Sequence, residues 1–91
     1  MHAIVSHFAD PKFWRRYHTL PASVRAIADK ALWLLKESPT ASSLRLKKVG
    51  RYWSIRIGKH HRALAVEVPE GMLWFWIGDH NEYARLIAGR K

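Results

Sequence analysis

The chain of 91 residues is 48% hydrophobic and 12% aromatic, enough apolar material for one packed core and too much for a disordered segment. Its 16 Lys and Arg against 7 Asp and Glu leave a formal charge of +9 spread along the whole length, a field that draws phosphates or an acidic protein; solubility alone is the weaker explanation in so small a chain. The absence of cysteine excludes a disulfide framework, a thiolate metal site and a thiol nucleophile, and the six histidines include no H-x-x-x-H pair, so neither metal nor cofactor is expected.

The first expected element is a short strand over His2–Phe8, carrying Ile4, Val5 and Phe8. Asp10 followed by Pro11 is a helix start, and Phe13, Trp14 and Tyr17 follow at helical spacing. Pro21 restarts a helix in which Val24, Ile27, Ala28, Ala31, Leu34 and Leu35 form one stripe, while Arg25, Asp29, Lys30 and Lys36 face elsewhere. Ser38-Pro39 ends it, and Thr40–Ser43 reads as a polar loop. From Leu44 the period becomes alternating, Leu44 and Leu46 against Arg45 and Lys47, which predicts a strand running to a turn at Gly50-Arg51.

In the next strand, Tyr52–Ile57, the residues Trp53, Ile55 and Ile57 share one face and Tyr52, Ser54 and Arg56 the other, so Arg56 projects away from the helix-covered core. Residues 58–61 connect to a strand over Arg62–Val68, and Pro69-Glu70-Gly71 makes a hairpin turn. The continuous apolar run Met72–Ile77 suits a strand buried on both faces in the middle of a sheet, stopped by Gly78. Asp79 then caps a closing helix that packs through Tyr83, Leu86 and Ile87 and ends at Gly89-Arg90-Lys91. The fold class is therefore α+β in one domain over residues 1–91: an N-terminal strand, a two-helix hairpin on an antiparallel meander of about four strands, and a short C-terminal helix. No apolar run reaches signal-peptide or membrane-spanning length, so a cytoplasmic protein with no membrane partner is expected.

Arg56 falls late in one strand and Arg62 early in the next, so the hairpin brings them together. Guanidinium groups suit a phosphate because their planar fork donates paired hydrogen bonds and stays charged. The plainer reading is a pair of solvated edge charges that discourage strand pairing. Convergence with His80, at the end of a central strand, favours a site, because an imidazole can give or take a proton in phosphodiester cleavage. The plainer reading of His80 is a helix-start residue bonded to nearby backbone, and the Tyr83 ring is expected to pack against the sheet. Trp53, Trp74 and Trp76 are expected in the core, with Trp14 and Trp33 partly exposed on helices.

Five segments carry a resemblance to the RelE/ParE superfamily of bacterial type II toxins: Leu20-Pro21-Ala22-Ser23-Val24-Arg25, the Leu44–Lys48 strand, Tyr52-Trp53-Ser54-Ile55-Arg56-Ile57-Gly58, His61-Arg62-Ala63-Leu64 and Trp76-Ile77-Gly78-Asp79-His80-Asn81-Glu82-Tyr83. Each is weak alone; their order and spacing are together fairly specific. The resemblance implies a helix hairpin on an antiparallel sheet and a cognate acidic antitoxin as partner. It implies one of two activities, ribosome-dependent cleavage of mRNA or poisoning of DNA gyrase; a non-toxic relative that only binds RNA or an acidic partner is the third reading. For the cleaving activity Arg62 matches a phosphate-binding arginine, Arg56 a basic neighbour, and His80 with Tyr83 the terminal catalytic pair. Lys47, Lys48, Arg51 and Lys59 would then contact RNA. Some cleaving relatives carry an acidic base on the strand that here reads Leu44–Lys48, where this chain has no carboxylate; Lys47, Lys48, His80 and Glu82 are the candidates in its place. Ser54 stands where certain relatives have lysine.

Overall fold

Asp10 sets the first helix in place: its Oδ1 accepts from the Lys12 N–H at 2.8 Å while Pro11, with no N–H to satisfy, opens the first turn of α1 (Pro11–Tyr17). The computed structural model describes residues 6–89. Before α1 lies strand β1 (Ser6–Ala9); the part of the expected first strand on residues 2–5 lies outside the described residues. A short connection leads to α2 (Ala22–Glu37), then to a 3-10 turn (Ser42–Leu44). Strands β2 (Lys47–Val49), β3 (Tyr52–Ile57), β4 (His61–Val68) and β5 (Gly71–Asp79) follow, and α3 (His80–Ala88) closes the chain.

The sheet order is β1-β5-β4-β3-β2. β2 to β5 form the antiparallel meander read from the turns, and β1 returns to pair in parallel with β5, which makes β5 an interior strand. The helix hairpin covers one face of the sheet, where Phe13, Ala28, Ala31 and Leu35 pack on Ile55, Ile57, Ala63, Trp74 and Ile77. On the opposite face a second cluster joins Tyr52, Leu64 and Trp76 to Tyr83 of α3. No helix among the described residues is long and apolar enough to cross a membrane.

One irregularity decides which tryptophan belongs to which face. Leu64 pairs with Trp76 but Ala65 with Trp74, so Phe75 is an extra residue on β5. The bulge reverses the alternation: Trp74 and Ile77 enter the helix-side core, and Trp76 turns to the α3 side.

Several boundaries differ from the sequence expectation: β4 takes in His61 and β5 takes in Gly71, both expected in turns, and two further differences have a local cause. The predicted strand from Leu44 begins only at Lys47: Leu44 is buried in the 3-10 turn and Arg45 adopts a left-handed conformation (φ 46°), which interrupts the extended run. Leu44 and Leu46 both point inward, as alternation requires, but a turn rather than a strand accomplishes it. Gly78 does not end β5, which continues to Asp79.

Candidate functional site

In the register of β3 and β4, Arg56 lies directly opposite Arg62, and across β4 and β5 Arg62 lies opposite Gly78. The three form one row across the face away from the helix hairpin. Like charges directly opposite on a sheet repel, at a cost of about 0.2–1 kcal/mol per pair. Among the described residues no carboxylate relieves this pair, since the two ion pairs, Arg16–Glu82 and Lys48–Glu67, lie elsewhere. Arg56 is instead steadied by its own turn, Nε donating to the Gly58 carbonyl at 2.9 Å. Arg62 donates from Nη1 to the His61 carbonyl at 3.1 Å and lies 5.7 Å over the Tyr83 ring. Burial holds the Arg62 guanidinium below the ordinary arginine value, Arg56 and Arg45 push it the same way, and Tyr83 opposes them. A guanidinium remains charged under such pressure. Arg62 is thus a partly desolvated cation with cations for neighbours, a poor arrangement for stability and a good one for an anion.

α3 begins beside this row. Asp79 caps it by accepting from the Glu82 N–H at 2.9 Å, and the His80 N–H donates to the His60 carbonyl at 2.7 Å, which stitches the helix start to the β3–β4 turn. His80 is exposed, its ring 5.7 Å from that of Tyr83. Lys59, His60, Arg62, Asp79, His80 and Asn81 line a shallow cleft of about 350 Å³. Tyr83 is 8% exposed and packs as the spacing suggested, so its ring forms the wall behind Arg62.

Arg16 of α1 anchors the other side of α3. Its Nε donates to the Ile77 carbonyl at 2.9 Å, Nη2 reaches Glu82 Oε1 at 3.2 Å and Oε2 at 3.3 Å, and the guanidinium lies 5.2 Å over the Trp76 ring. Glu82, one of the base candidates, is therefore engaged by Arg16. Gly78 makes the arrangement possible: a Cβ there would sit 2.5 Å from the Trp76 ring and 3.1 Å from Arg16 Nη2.

The remaining basic candidates separate. Lys47, opposite Ser54, lies on the face of the arginine row at the sheet edge, and Lys59 lines the cleft. Lys48, opposite Trp53, lies on the other face, its Nζ 3.4 Å from Glu67 and 6.0 Å over the Trp53 ring. Arg51 occupies the β2–β3 turn, 5.8 Å over Tyr52 at the far end of β3 from Arg56. Sequence reasoning missed Arg45. It acts electrostatically on Arg62 and lines a second cleft together with Arg56, yet its left-handed backbone carries no glycine or asparagine to announce the turn. Ser54, between these groups, is 1% exposed and its Oγ has no hydrogen-bond partner among the described residues.

The same architecture recurs in solved structures. The chain is similar to the RelB-RelE antitoxin-toxin complex from Methanococcus jannaschii (13% identity, TM-score 0.68, covering 87% of this chain and 96% of that one). It is similar to the toxin-antitoxin complex RelBE2 from Mycobacterium tuberculosis (15%, 0.65, 86% and 100%) and to a free-state mutant of the E. coli toxin RelE (16%, 0.62, 98% and 100%). At these identities the likeness establishes the fold. No curated protein matches the chain. Residues 23–85, from the start of α2 through the first turns of α3, match the ParE-like toxin domain, and by that match over most of its length the chain belongs to the ParE-like toxin domain family.

Proposed function

We propose that this toxin-family protein is a ribosome-dependent mRNA endonuclease held in check by an acidic antitoxin. The observation that carries the reading is the unrelieved pair Arg56 and Arg62, with Arg45 nearby and His80 across the cleft. In the reaction an RNA 2′-hydroxyl attacks the adjacent phosphorus, the new 2′ O–P bond forms and the bond to the 5′-oxygen breaks. Charge builds on the non-bridging oxygens, where Arg62 and Arg56 stabilise it more strongly than in the ground state. The 2′-hydroxyl loses a proton and the departing 5′-oxygen gains one, and His80 is the group placed to move a proton. Tyr83 supports Arg62 from behind. The cleft is open and His80 exposed, so alignment of 2′-oxygen, phosphorus and leaving oxygen is assigned to the ribosome. The antitoxin enters through the matched complexes, which hold RelB with RelE, and through the net charge of +9.

Expression of the chain without an antitoxin, with transcript ends mapped by primer extension, tests this: growth arrest with cuts inside codons is expected, and Arg62→Ala should remove both. Arrest with intact transcripts would overturn it. The match to a ParE-like family favours a second reading, inhibition of gyrase without nuclease chemistry. That reading predicts a DNA-damage response and full toxicity for His80→Ala.

A further inference from the structure

Between the end of α2 and the sheet lies a cleft of about 550 Å³. Arg62 stands near the start of β4 and Val68, which lines this cleft, at its end, about 20 Å further along the strand. The cleft is therefore a separate place from the arginine row. Its apolar walls are Leu35, Leu46, Trp53, Val68 and Met72. Leu35 and Met72 belong to the buried core, and Leu46 and Trp53 pack half-buried against it, so the recess ends on the core itself. Three polar side chains also line it: His7 of β1, Lys36 in the last turn of α2 and Glu67 of β4. Glu67 is engaged, its Oε2 accepting from the Trp53 indole N–H at 2.7 Å and lying 3.4 Å from Lys48 Nζ.

His7 and Lys36 are not so engaged. The Trp74 indole N–H donates to His7 Nδ1 at 3.1 Å. An indole nitrogen can only donate, so Nδ1 is the unprotonated nitrogen and the proton of the neutral ring is on Nε2. Burial, and then the Lys36 ammonium, hold His7 below its ordinary value, which keeps the ring neutral at neutral pH. Among the described residues the Nε2–H has no acceptor and Lys36 forms no ion pair. A single N–H donor and a single ammonium beside an apolar recess suit one kind of ligand, a carboxylate with an apolar tail. An alkylammonium is repelled by Lys36. A phosphate monoester fits less well, because its second charge finds no second unpaired cation and meets the Glu67 carboxylate. We infer that this cleft binds a small apolar monocarboxylate of medium chain length, its carboxylate at His7 and Lys36 and its tail on Leu35, Leu46, Val68 and Met72. The site is independent of the catalytic reading above.

The test titrates the full chain with octanoate at physiological salt, following the indole N–H signals by NMR. Octanoate should shift the signals of Trp53, which lines the cleft, and Trp74, which bonds to His7, and spare that of Trp76 on the other face of the sheet. Binding should tighten by about fourfold for each methylene added between hexanoate and octanoate. It should weaken by roughly tenfold or more for octanol in place of octanoate, and by a similar factor in Lys36→Met. Lys36 is exposed, so the variant should melt as wild type does without ligand. Lys12→Met removes the same charge from α1 and should bind octanoate as wild type does, which separates the site from the net charge of +9. The His7 titration midpoint should rise on binding, because an adjacent carboxylate favours the imidazolium. Absence of binding, equal binding of octanol, or equal binding by Lys36→Met would overturn the inference. So would an unchanged His7 midpoint, a loss in Lys12→Met as large as in Lys36→Met, or tighter binding of adenosine monophosphate than of octanoate at the same signals.

Discussion

At one end of the β3–β4 hairpin Arg56 faces Arg62 with no carboxylate to separate them; near the other end Lys48 lies over Trp53 and against Glu67, whose Oε2 also accepts from the Trp53 indole N–H at 2.7 Å. The same sheet thus carries one cluster whose cation, Lys48 of β2, the fold neutralises and one that it leaves charged. Neutralisation is what stability alone favours, and the helix start shows it again, where Arg16 meets Glu82. The arginine pair sits where the sheet meets α3, with a neighbouring cleft and an exposed histidine. On the reading proposed above, two guanidinium groups set directly opposite one another without a carboxylate are where an anion would complete the structure.

The sharpest way to break this contrast is Arg62→Ala. Removing one donor to developing charge costs about 10²–10³ in rate, so transcript cleavage should fall by at least about 100-fold. Arg62 is partly buried against Tyr83 but makes no side-chain ion pair, so the fold should survive. Cleavage within tenfold of wild type would remove the arginine row from the chemistry. Gly78→Ala acts on the row's backing. The added methyl collides with Trp76 and crowds Arg16, and forced repacking of this kind costs about 1–3 kcal/mol, to be read in a urea melt.

Arg56→Glu converts the second cluster into a likeness of the first, since a glutamate opposite Arg62 does there what Glu67 does for Lys48. Stability should rise by up to about 1 kcal/mol as repulsion becomes attraction, while cleavage falls by about tenfold or more. A variant that is both more stable and less active supports the trade; one that is less stable shows that the two arginines are already relieved by something else.

How far the contrast was legible in the sequence depends on the kind of order that produces it. Alternation and hairpin register placed Arg56 and Arg62 together, because a period of two and a tight turn leave little freedom. The helices followed from their stripe and from the Asp10-Pro11 start. The Phe75 bulge did not, since a continuous apolar run has no phase to show where alternation reverses. Nor did Arg45: burial of Leu44 under the sheet edge forces the chain through a left-handed residue, a tertiary requirement with no local signal. Lys48 is the converse case. It follows Lys47 in sequence, but adjacent strand residues face opposite ways, and only the position of Glu67 two strands across shows that its charge is already taken.

The smallest effect is expected from Glu67→Gln, and it tests the neutralised cluster on its own terms. The Trp53 N–H bond and then Lys48 hold the Glu67 carboxyl below its ordinary value of 4.5. A carboxylate with a depressed folded pKa contributes stability above its unfolded pKa and loses it as pH falls through the folded one. Wild type should therefore melt slightly above Glu67→Gln at pH 7, the gap shrinking as pH falls below 4.5 and closing once Glu67 is protonated, when acid and amide are near equivalents. The glutamine can still accept from Trp53 but as a neutral group, so the gap reports the stronger Trp53 bond to the carboxylate together with the attraction of Lys48. Cleavage should be unchanged at neutral pH. A gap that persists in acid would assign the contribution of Glu67 to packing, and a loss of cleavage would show that the two clusters share one function.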